Sequence, residues 1–358
     1  MTNTQTVIAG IASTRSPILR GSQTSNQSVV QDQPCILTIG VPTYNGAETI
    51  GQTIESVLSQ VGPDKAGLVE VIVSDNASDD KTESTVLGLM SRYPGRVVYH
   101  KNETNIGFDA NVDTIVHMAK GRFVWPLADD DYLKDGAIDE VLEAIHEHPD
   151  VALIFANFEG GSASLTLEEG ELCPDGNAFF SRINFKNGLL SSNIVNRSIW
   201  LALNLKRYHG RYWIHFAYAM EALSPNSHRQ AFILKGTPLG LCIAKGRWGG
   251  GGSFIHIGLC LVDVFQEMPN LGYSRGVKKR ADFVIKGGYP KYIPMAKAQG
   301  LCLDGNLLNS FCSHYWQYPT FWVVDLPLLL IPGSVYRLWF DLRGRGRNRR
   351  RTNGSRPR

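Results

Sequence analysis

The sequence predicts an α/β protein with a mostly parallel central sheet and helices on both faces. Strand-like and helix-like segments alternate four times between residues 35 and 156. The predicted strands are continuous apolar runs, which are typical of strands buried on both faces of a parallel sheet. A polar cluster follows each of the first four strands, and ligands of such sheets bind beyond the carboxyl ends of the strands. We therefore expect a binding site at that edge.

Each element has its own sequence evidence. The strands are rich in Val, Ile and Leu, and the helices repeat apolar residues at intervals of three and four. Turn-forming residues such as those at 42–46 and 75–80 separate the two types of segment. The predicted strands cover residues 35–41, 69–74, 96–100, 123–128 and 151–156. The predicted helices cover residues 50–60, 83–92, 112–119 and 137–145.

The composition is that of a globular protein, with 43% hydrophobic and 19% charged residues among 358. The net charge is only +3 and much of the basic excess lies in the last segment, so a nucleic-acid-binding body is not indicated. The six cysteines are scattered without a C-x-x-C pair, which argues against a zinc site or a disulfide framework and fits a reducing cytosol. We find no signal-peptide pattern at the N-terminus.

Three consecutive carboxylates, Asp129–Asp131, end the apolar run that begins at Phe123. Adjacent carboxylates repel one another unless a positive charge lies among them. Mg²⁺ and Mn²⁺ are suitable cations because one or two carboxylates hold them while water and substrate phosphates complete the shell. The alternative is a solvated acidic turn that caps the next helix.

Four strand-end motifs, taken together and in this order, resemble those of family 2 glycosyltransferases. The resemblance implies an A-type fold, a nucleotide-binding α/β domain and typically inversion at the sugar's anomeric carbon. It covers roughly residues 36–252, and an additional stretch, Ser191–Arg197, is most similar to the abequosyltransferase-type branch. The four motifs are Ile39–Asn45, Val73–Asp80, Asn105–Phe108 and Asp129–Asp131.

The resemblance implies a donor pocket on the first loops. Pro42, Thr43 and Tyr44 would line the base and ribose of the nucleotide, and Glu48 would approach the same pocket. Asp75 takes the position that hydrogen-bonds the base. A carboxylate that accepts a base N–H gives such a site its selectivity.

Two further groups complete the implied donor site. Asn105 lies in the loop that the resemblance places beside the nucleotide, and Asp129 also belongs to the nucleotide-binding set. Asp129, Asp130 and Asp131 together take the metal and diphosphate position. Bound Mg²⁺ or Mn²⁺ would neutralise the charge that develops as the diphosphate leaves.

An inverting transferase needs a general base to take the acceptor's hydroxyl proton. Many relatives use the Asp of a Glu-Asp pair at the start of a helix, and the corresponding segment 211–221 has no such pair. His215 is nearest to the expected position and its ordinary pKa suits the role. Glu221 is the second candidate. The alternative for His215 is a satisfied core histidine.

A glycine-rich segment, 245–253, is a candidate loop over the diphosphate. Arg247 would pair with phosphate oxygens and Trp248 would stack on a sugar. The alternative is a surface linker.

The C-terminal part is expected to be helical from residue 258 and strongly apolar and aromatic from Tyr318 to Phe340. Asp325, Pro327 and Pro332 interrupt it, so a spanning helix of about 20 apolar residues is not expected. An Arg-rich tail follows. This pattern favours a peripheral position on an anionic membrane. The alternatives are a core hairpin with a disordered tail, or a nucleic-acid-binding tail.

The predicted organisation has five parts, and the predicted function is transfer of a hexosyl or deoxyhexosyl group from a nucleotide-diphosphate-sugar to a glycan or lipid-linked acceptor. This fits O-antigen-like polysaccharide synthesis on the inner face of the plasma membrane, with no nucleic acid partner. The alternatives are a non-catalytic nucleotide-sugar-binding or scaffold protein, or a nucleotidyltransferase. The five parts are a disordered leader 1–33, a donor half 34–156, an acceptor half 157–257, a helical membrane-interface segment 258–340 and a basic tail 341–358.

Overall fold

The computed structural model describes residues 35–158, 165, 167–241, 250–268, 270–288 and 292–342. The predicted leader 1–33 lies outside these residues, as do Arg247, Trp248 and the tail from residue 343.

Ten strands form two sheets in the described chain, and all five strands predicted from the apolar runs are present. The strands are β1 Leu37–Thr43, β2 Val69–Asp75, β3 Val97–Lys101, β4 Phe123–Pro126, β5 Asp131–Leu133, β6 Leu153–Phe155, β7 Glu171–Cys173, β8 Asn193–Asn196, β9 Ala231–Ile233 and β10 Leu239–Leu241. The main sheet has the order β3-β2-β1-β4-β8-β6-β9-β7, and β10 pairs with β5 in a small antiparallel sheet.

The first half of the main sheet is parallel, as its apolar strands predict. β1 lies between β2 and β4 and is parallel to both, and β3 continues the parallel order on the outside of β2. β8 is antiparallel to both β4 and β6, and β6 is parallel to β9. The predicted acceptor half therefore extends the sheet of the donor half, because β8 and β9 come from it.

Thirteen α-helices are defined in the described chain. The connections between successive parallel strands are α1 to α3, as the alternation predicts. The helices are α1 Ile50–Leu58, α2 Thr82–Arg92, α3 Phe108–Met118, α4 Ala137–Glu147, α5 Gly176–Ile183, α6 Arg197–Ala202, α7 Ile214–Ala222, α8 Gly250–Gln266, α9 Arg275–Gly288, α10 Ile293–Ala298, α11 Gly305–Tyr315, α12 Leu326–Leu330 and α13 Gly333–Leu342.

The core lies on both faces of the main sheet. β1 is buried along its whole length, and α3 packs closely enough on it that a Cβ at Gly40 would overlap the Ile115 side chain. The centre of the core also holds Trp125 of β4, whose indole N–H donates to the Ser191 carbonyl at 2.7 Å. These contacts fix where the carboxyl ends of β1 and β4 emerge.

The C-terminal part is helical, as predicted. A π-helical turn, Phe321–Asp325, continues into α12, and α13 follows after a bend. In the described residues, no one helix has both the length and the apolar character needed to cross a membrane. The pair Phe321–Leu330 and Gly333–Leu342 meets those criteria only when taken together, and it is bent by 85°. We call these two segments the C-terminal helix pair.

Candidate functional site

The carboxyl ends of β1, β2 and β4 meet at one edge of the sheet. Thr43 at the end of β1 stands opposite Asp75 at the end of β2. On the other side of β1, the Leu127 N–H donates to the Gly40 carbonyl at 2.8 Å and directs the chain toward Asp129. The loops that the sequence singled out therefore converge at this edge.

Thr43 connects the first loop to the acidic turn. Its Oγ1 donates to Oδ2 of Asp129 at 2.5 Å, and both side chains are buried. Pro42 is buried in the strand beside it, whereas Tyr44 is 48% exposed and Glu48 is exposed in the loop before α1. The edge thus presents a half-exposed aromatic ring, that of Tyr44, together with a buried hydroxyl–carboxylate pair.

The loops after β1 and β2 are held together by reciprocal hydrogen bonds. The Asn45 N–H donates to Ser78 Oγ at 2.9 Å, and Asn45 Oδ1 accepts from the Asp79 N–H at 3.0 Å. Asn45 and Ala77 both have positive φ, 53° and 62°, a conformation that non-glycine residues adopt rarely and mostly at special sites. We call the loops after β1 and β2 the rim of the site. These hydrogen bonds fix the shape of the rim before any ligand binds.

Asp75 is fully buried and is a member of a hydrogen-bond network. Its Oδ1 accepts from the Ser78 N–H at 2.8 Å and from Ser78 Oγ at 2.5 Å, and its Oδ2 accepts from the Tyr99 hydroxyl at 2.7 Å. Burial, together with the hydrogen bond to Asp75, raises the pKa of Tyr99. The carboxylate is held in one orientation, and Oδ2 retains capacity for a further donor.

A group of asparagines that the sequence analysis did not select supports the loop of Asn105. Asn76 donates to Asn105 Oδ1 at 2.9 Å and accepts from the Ile106 N–H at 2.9 Å. Asn102 donates to Asn76 Oδ1 at 3.3 Å and to Asn111 Oδ1 at 2.9 Å. Asn105 is thus positioned from β2 and α3. The high number of Asn residues in these loops was the one feature of the sequence that could have indicated this network.

The triple-Asp turn is held by Ser191, which was also missed as a site residue. Ser191 Oγ donates to Asp131 Oδ2 at 2.6 Å and accepts from the Ala128 N–H at 2.9 Å, and Ser191 is fully buried. From the other side, Thr53 of α1 donates to the Asp131 carbonyl at 2.8 Å. Asp129 and Asp131 are buried and Asp130 is partly exposed between them.

No group of three or more His, Cys, Asp or Glu side chains in the described ranges has the arrangement of a complete metal site. Such a site is not required for Mg²⁺ or Mn²⁺, because these ions take one or two carboxylates and complete their shell with phosphate and water. Two carboxylates anchored by hydroxyls at a strand end fit that incomplete type of site.

The start of α7 lies beside the start of α3. Asp109 of α3 is buried and accepts from the backbone N–H groups of Tyr212 at 2.7 Å and Ile214 at 3.0 Å, so it caps α7. Burial raises the pKa of Asp109, although these N–H groups oppose the shift. His215 follows directly, with its ring 6.3 Å from that of Phe108.

His215 is buried to 2% exposure on α7. Its Nε2 lies 3.1 Å from the Gly188 carbonyl oxygen, which can only accept, so Nε2 carries the hydrogen. Burial lowers the pKa of His215 to about 4, and the hydrogen bond to Gly188 opposes the shift. Nδ1 is buried and has no hydrogen-bond partner among the described residues. The imidazole is therefore neutral at pH 7, with one unpaired lone pair in an aromatic surround.

Glu221, the second candidate base, lies at the other end of α7. It forms an ion pair with Arg207 and accepts from the Tyr208 hydroxyl at 2.6 Å. The Glu221 carboxylate is therefore already engaged by a cation and by a hydroxyl group. The structure thus brings together the residues predicted from the ends of β1, β2 and β4. His215 lies next to Phe108, and Glu221 is paired with Arg207.

One loop joins the two sides of the site. Gly188 receives the hydrogen bond of His215, and Ser191, three residues later, holds the Asp turn. β10 pairs with β5 so that Leu241 lies opposite Asp131. Residue 241 is the last described residue before the segment that contains Arg247 and Trp248, which lie outside the described residues.

The family comparison matches residues 38–198 to the model of glycosyl transferase family 2. Abequosyltransferase RfbV of Salmonella typhimurium is 29% identical over 33% of this chain and 35% of its own length. A GalNAc(5)-diNAcBac-PP-undecaprenol beta-1,3-glucosyltransferase of Campylobacter jejuni is 33% identical over 31% of this chain and 35% of its own length. The chain spans about a third of the length of these curated relatives.

Solved structures extend the fold similarity to most of the chain. Residues 1–349 of S. aureus TarS, in complex with UDP, have a TM-score of 0.54 at 16% identity and cover 79% of this chain and 81% of theirs. The mannosyltransferase PcManGT from Pyrobaculum calidifontis, in complex with GDP-Man and Mn2+, has a TM-score of 0.53 at 18% identity and covers 86% and 89%. These matches show the glycosyltransferase A-type fold. Residues 38–198 are therefore similar in sequence to glycosyl transferase family 2, within a chain whose fold is the glycosyltransferase A-type.

Proposed function

We propose that this chain is a glycosyltransferase that moves a sugar from a nucleotide-diphosphate-sugar to a hydroxyl of a glycan or lipid-linked acceptor, with inversion, in cell-surface polysaccharide synthesis. One observation carries the proposal. The carboxyl ends of β1, β2 and β4 bring a fixed loop rim and an anchored triple-Asp turn to one edge of a family 2 domain.

The proposed donor pocket uses the rim. Tyr44 offers an exposed ring for the base or ribose, and Asp75 Oδ2 has capacity for a base N–H. Asn105, whose side chain accepts a hydrogen bond from Asn76, would lie beside the nucleotide. TarS and the mannosyltransferase, which share the fold, carry UDP and GDP-Man in their structures, which supports a nucleotide donor.

The proposed metal is Mg²⁺ or Mn²⁺ at the Asp129–Asp131 turn. Asp129 and Asp131 are oriented by Thr43 and Ser191 respectively, and Asp130 is partly exposed. The ion would stabilise the negative charge on the departing diphosphate. The mannosyltransferase of the same fold is solved with Mn2+, which supports this assignment.

The proposed general base is His215, with Glu221 as the second choice. His215 is neutral and has an unpaired Nδ1, so it can accept a proton once an acceptor hydroxyl reaches it. Glu221 is the second choice because Arg207 and Tyr208 already engage its carboxylate.

We propose a peripheral position on the inner face of the plasma membrane. The apolar segment from Tyr318 to Phe340 and the Arg-rich tail support this position. The C. jejuni relative is named for an undecaprenol-linked acceptor, which supports an acceptor held at a membrane.

The decisive experiment is release of nucleoside diphosphate from a panel of nucleotide sugars, with Mn²⁺ and a lipid extract that contains acceptor glycans. We expect release only with one class of donor and only in the presence of acceptor. Donor binding without any release would contradict the proposed activity.

A second candidate is a non-catalytic nucleotide-sugar-binding or scaffold protein. It is favoured by the burial of His215 and the engagement of Glu221, because neither candidate base is exposed and unengaged. The same assay separates the two proposals, since a binding protein would show donor affinity and no turnover.

A further inference from the structure

The exposed apolar surface of this chain is concentrated at its C-terminal end. Ten of the eighteen exposed large apolar side chains of the described chain lie between Trp316 and Leu342. Val323 is 75% exposed and Leu330 is 61% exposed. Soluble surfaces scatter such residues singly, whereas a contiguous group of them marks an interaction surface.

One face of the C-terminal helix pair is buried against the rest of the chain, and its outer face is apolar but exposed. Phe321, Asp325 and Leu329 recur every four residues and are buried against the rest of the chain. Trp322 and Val323 lie outside that stripe and are exposed. A helix that is apolar all round is normally buried all round. The outer face therefore needs a second covering that the described chain does not provide.

Specific contacts hold the bend between the two helices. The Lys297 ammonium donates to the Leu329 carbonyl, and the Tyr336 hydroxyl of α13 donates to the Leu328 carbonyl at 2.9 Å, so two end carbonyls of α12 are satisfied. A Cβ at Gly333 would overlap the Lys297 carbonyl oxygen. These contacts fix the 85° bend instead of leaving a frayed end.

We infer that the C-terminal helix pair is a bent wedge that enters one leaflet of an anionic membrane and goes no deeper. The inference rests on the membrane association proposed above and specifies the surface that makes it. Each arm has ten residues and is about 15 Å long, half of a bilayer's hydrocarbon thickness of about 30 Å. Only Arg337 and Asp341 are exposed charges on the pair, and both lie in the second arm.

Composition favours lipid over a second copy of this chain as the covering. Three exposed tryptophans, Trp316, Trp322 and Trp339, suit the headgroup boundary. Residues 343–358 add eight arginines and no acidic residue directly after the second arm. Two copies packed through this face would bring these like charges together, whereas anionic headgroups would neutralise them.

The test uses the full chain and vesicles of phosphatidylcholine with phosphatidylglycerol. The double variant Val323→Glu with Leu330→Glu should lower the vesicle partition coefficient by at least about tenfold, because two apolar contacts with the acyl region are lost. Val98→Glu with Leu172→Glu is the matched control, since Val98 and Leu172 are exposed elsewhere, at 46% and 42%. The control should bind as the native chain does. Tryptophan quenching by lipids brominated along the acyl chain should occur in the control and be lost in the wedge variant.

Equal partition of both variants would overturn the wedge. A native dimer that the wedge variant alone converts to monomer in lipid-free sedimentation would also overturn it, and would assign the face to a second copy. Calorimetry with UDP or GDP and Mn²⁺ on the same samples keeps the proposed function separate. Vesicle binding without nucleotide binding would count against that function and leave the wedge intact.

Discussion

Burial changes what a histidine can do in this protein. The ordinary pKa of histidine suggested a base that titrates near neutrality, whereas burial lowers the pKa of His215 to about 4. A neutral imidazole can accept a proton and an imidazolium cannot, so we expect activity that depends on His215 as the proposed base to be present above pH 4 and to be lost as the pH falls through that value.

The first prediction follows from this geometry. His215→Ala should lower turnover by about 10²- to 10⁴-fold and leave nucleotide affinity unchanged. His215→Gln is the sharper variant, because its amide can still donate to the Gly188 carbonyl while it lacks a basic nitrogen. We expect both variants to be equally inactive in donor turnover, and Glu221→Gln to lose much less. Full turnover in the Gln variant would remove His215 from the proton-accepting role.

The second prediction concerns Asp75, which three hydrogen-bond donors hold. Asp75→Asn should blur the preference among UDP, GDP, CDP and dTDP donors, because the amide also donates. It should also destabilise the fold by about 1–3 kcal/mol, because an amide nitrogen cannot accept from Ser78 or Tyr99. Competitive calorimetry and thermal unfolding measure the two effects. Tyr99→Phe is the control, which removes one donor and keeps the carboxylate; unchanged preference in Asp75→Asn would contradict the assignment.

The third prediction concerns pH and stability. Burial raises the pKa of Asp325 to about 6 from 3.8, and its Oδ1 has no partner among the described residues. Folding disfavours the charged form, so the contribution of Asp325 to stability is greatest below pH 4 and declines as the pH rises through 6. Asp325→Asn should therefore raise the thermal midpoint at pH 7.5 and change it little at pH 4. Asp341→Asn, at an exposed position, should show no such pH dependence; equal effects would exclude the burial argument.

At the scale of elements, the sequence predicted those strands and helices that a local apolar run or repeat marks. The strands β1 to β4 and the helices between them are long apolar repeats, so their type and order were predictable. The strands β5, β8, β9 and β10 have three or four residues, and their pairing depends on tertiary contacts that a single sequence does not reveal. The strands β4 and β6 are equally short, but they lie within the longer apolar runs 123–128 and 151–156, which made them predictable. The antiparallel β8 between β4 and β6 was therefore not predictable as such.

The same limit applies to the site. The strand-end carboxylates and Tyr44 were identified because the resemblance points to them in the sequence. Ser191 acts through Asp131 and Ala128, 60 and 63 residues away, and Asn76 acts through Asn105, 29 residues away, which a single sequence does not reveal. The sequence therefore identified the site residues but did not predict the contacts that orient them.

The fourth prediction tests the Asp turn as an element. Ser191→Ala removes the hydroxyl that holds Asp131 and the Ala128 N–H, so Mn²⁺-dependent UDP or GDP affinity should fall. Ser192→Ala is a matched control, because its buried hydroxyl bonds to Leu189 instead. Asp130→Ala should abolish the metal dependence itself. Calorimetry with Mn²⁺ and with EDTA provides the readout, and equal affinity in both solutions for the native chain would exclude the metal.

At the scale of the whole molecule, the C-terminal helices belong to the same hydrophobic core as the main sheet. Phe321 and Leu329 are fully buried, and Lys297 of α10 bonds to α12. Removing the chain from Tyr318 onward would therefore expose core surface and confuse loss of docking with loss of fold. Substitutions on the outer face separate these effects, because exposed side chains contribute little to folding.

The last prediction connects this face with turnover. The Val323→Glu and Leu330→Glu double variant should retain native turnover on a water-soluble acceptor glycan, because the rim at β1, β2 and β4 is unchanged. On the same glycan carried by a lipid in vesicles, turnover should fall, and added salt should reduce it further by screening the arginines of the tail within a Debye length of about 8 Å. The Val98→Glu and Leu172→Glu control should retain both activities. An equal fall on soluble and lipid-linked acceptors would mean that the C-terminal helices shape the catalytic site and do not serve membrane docking alone.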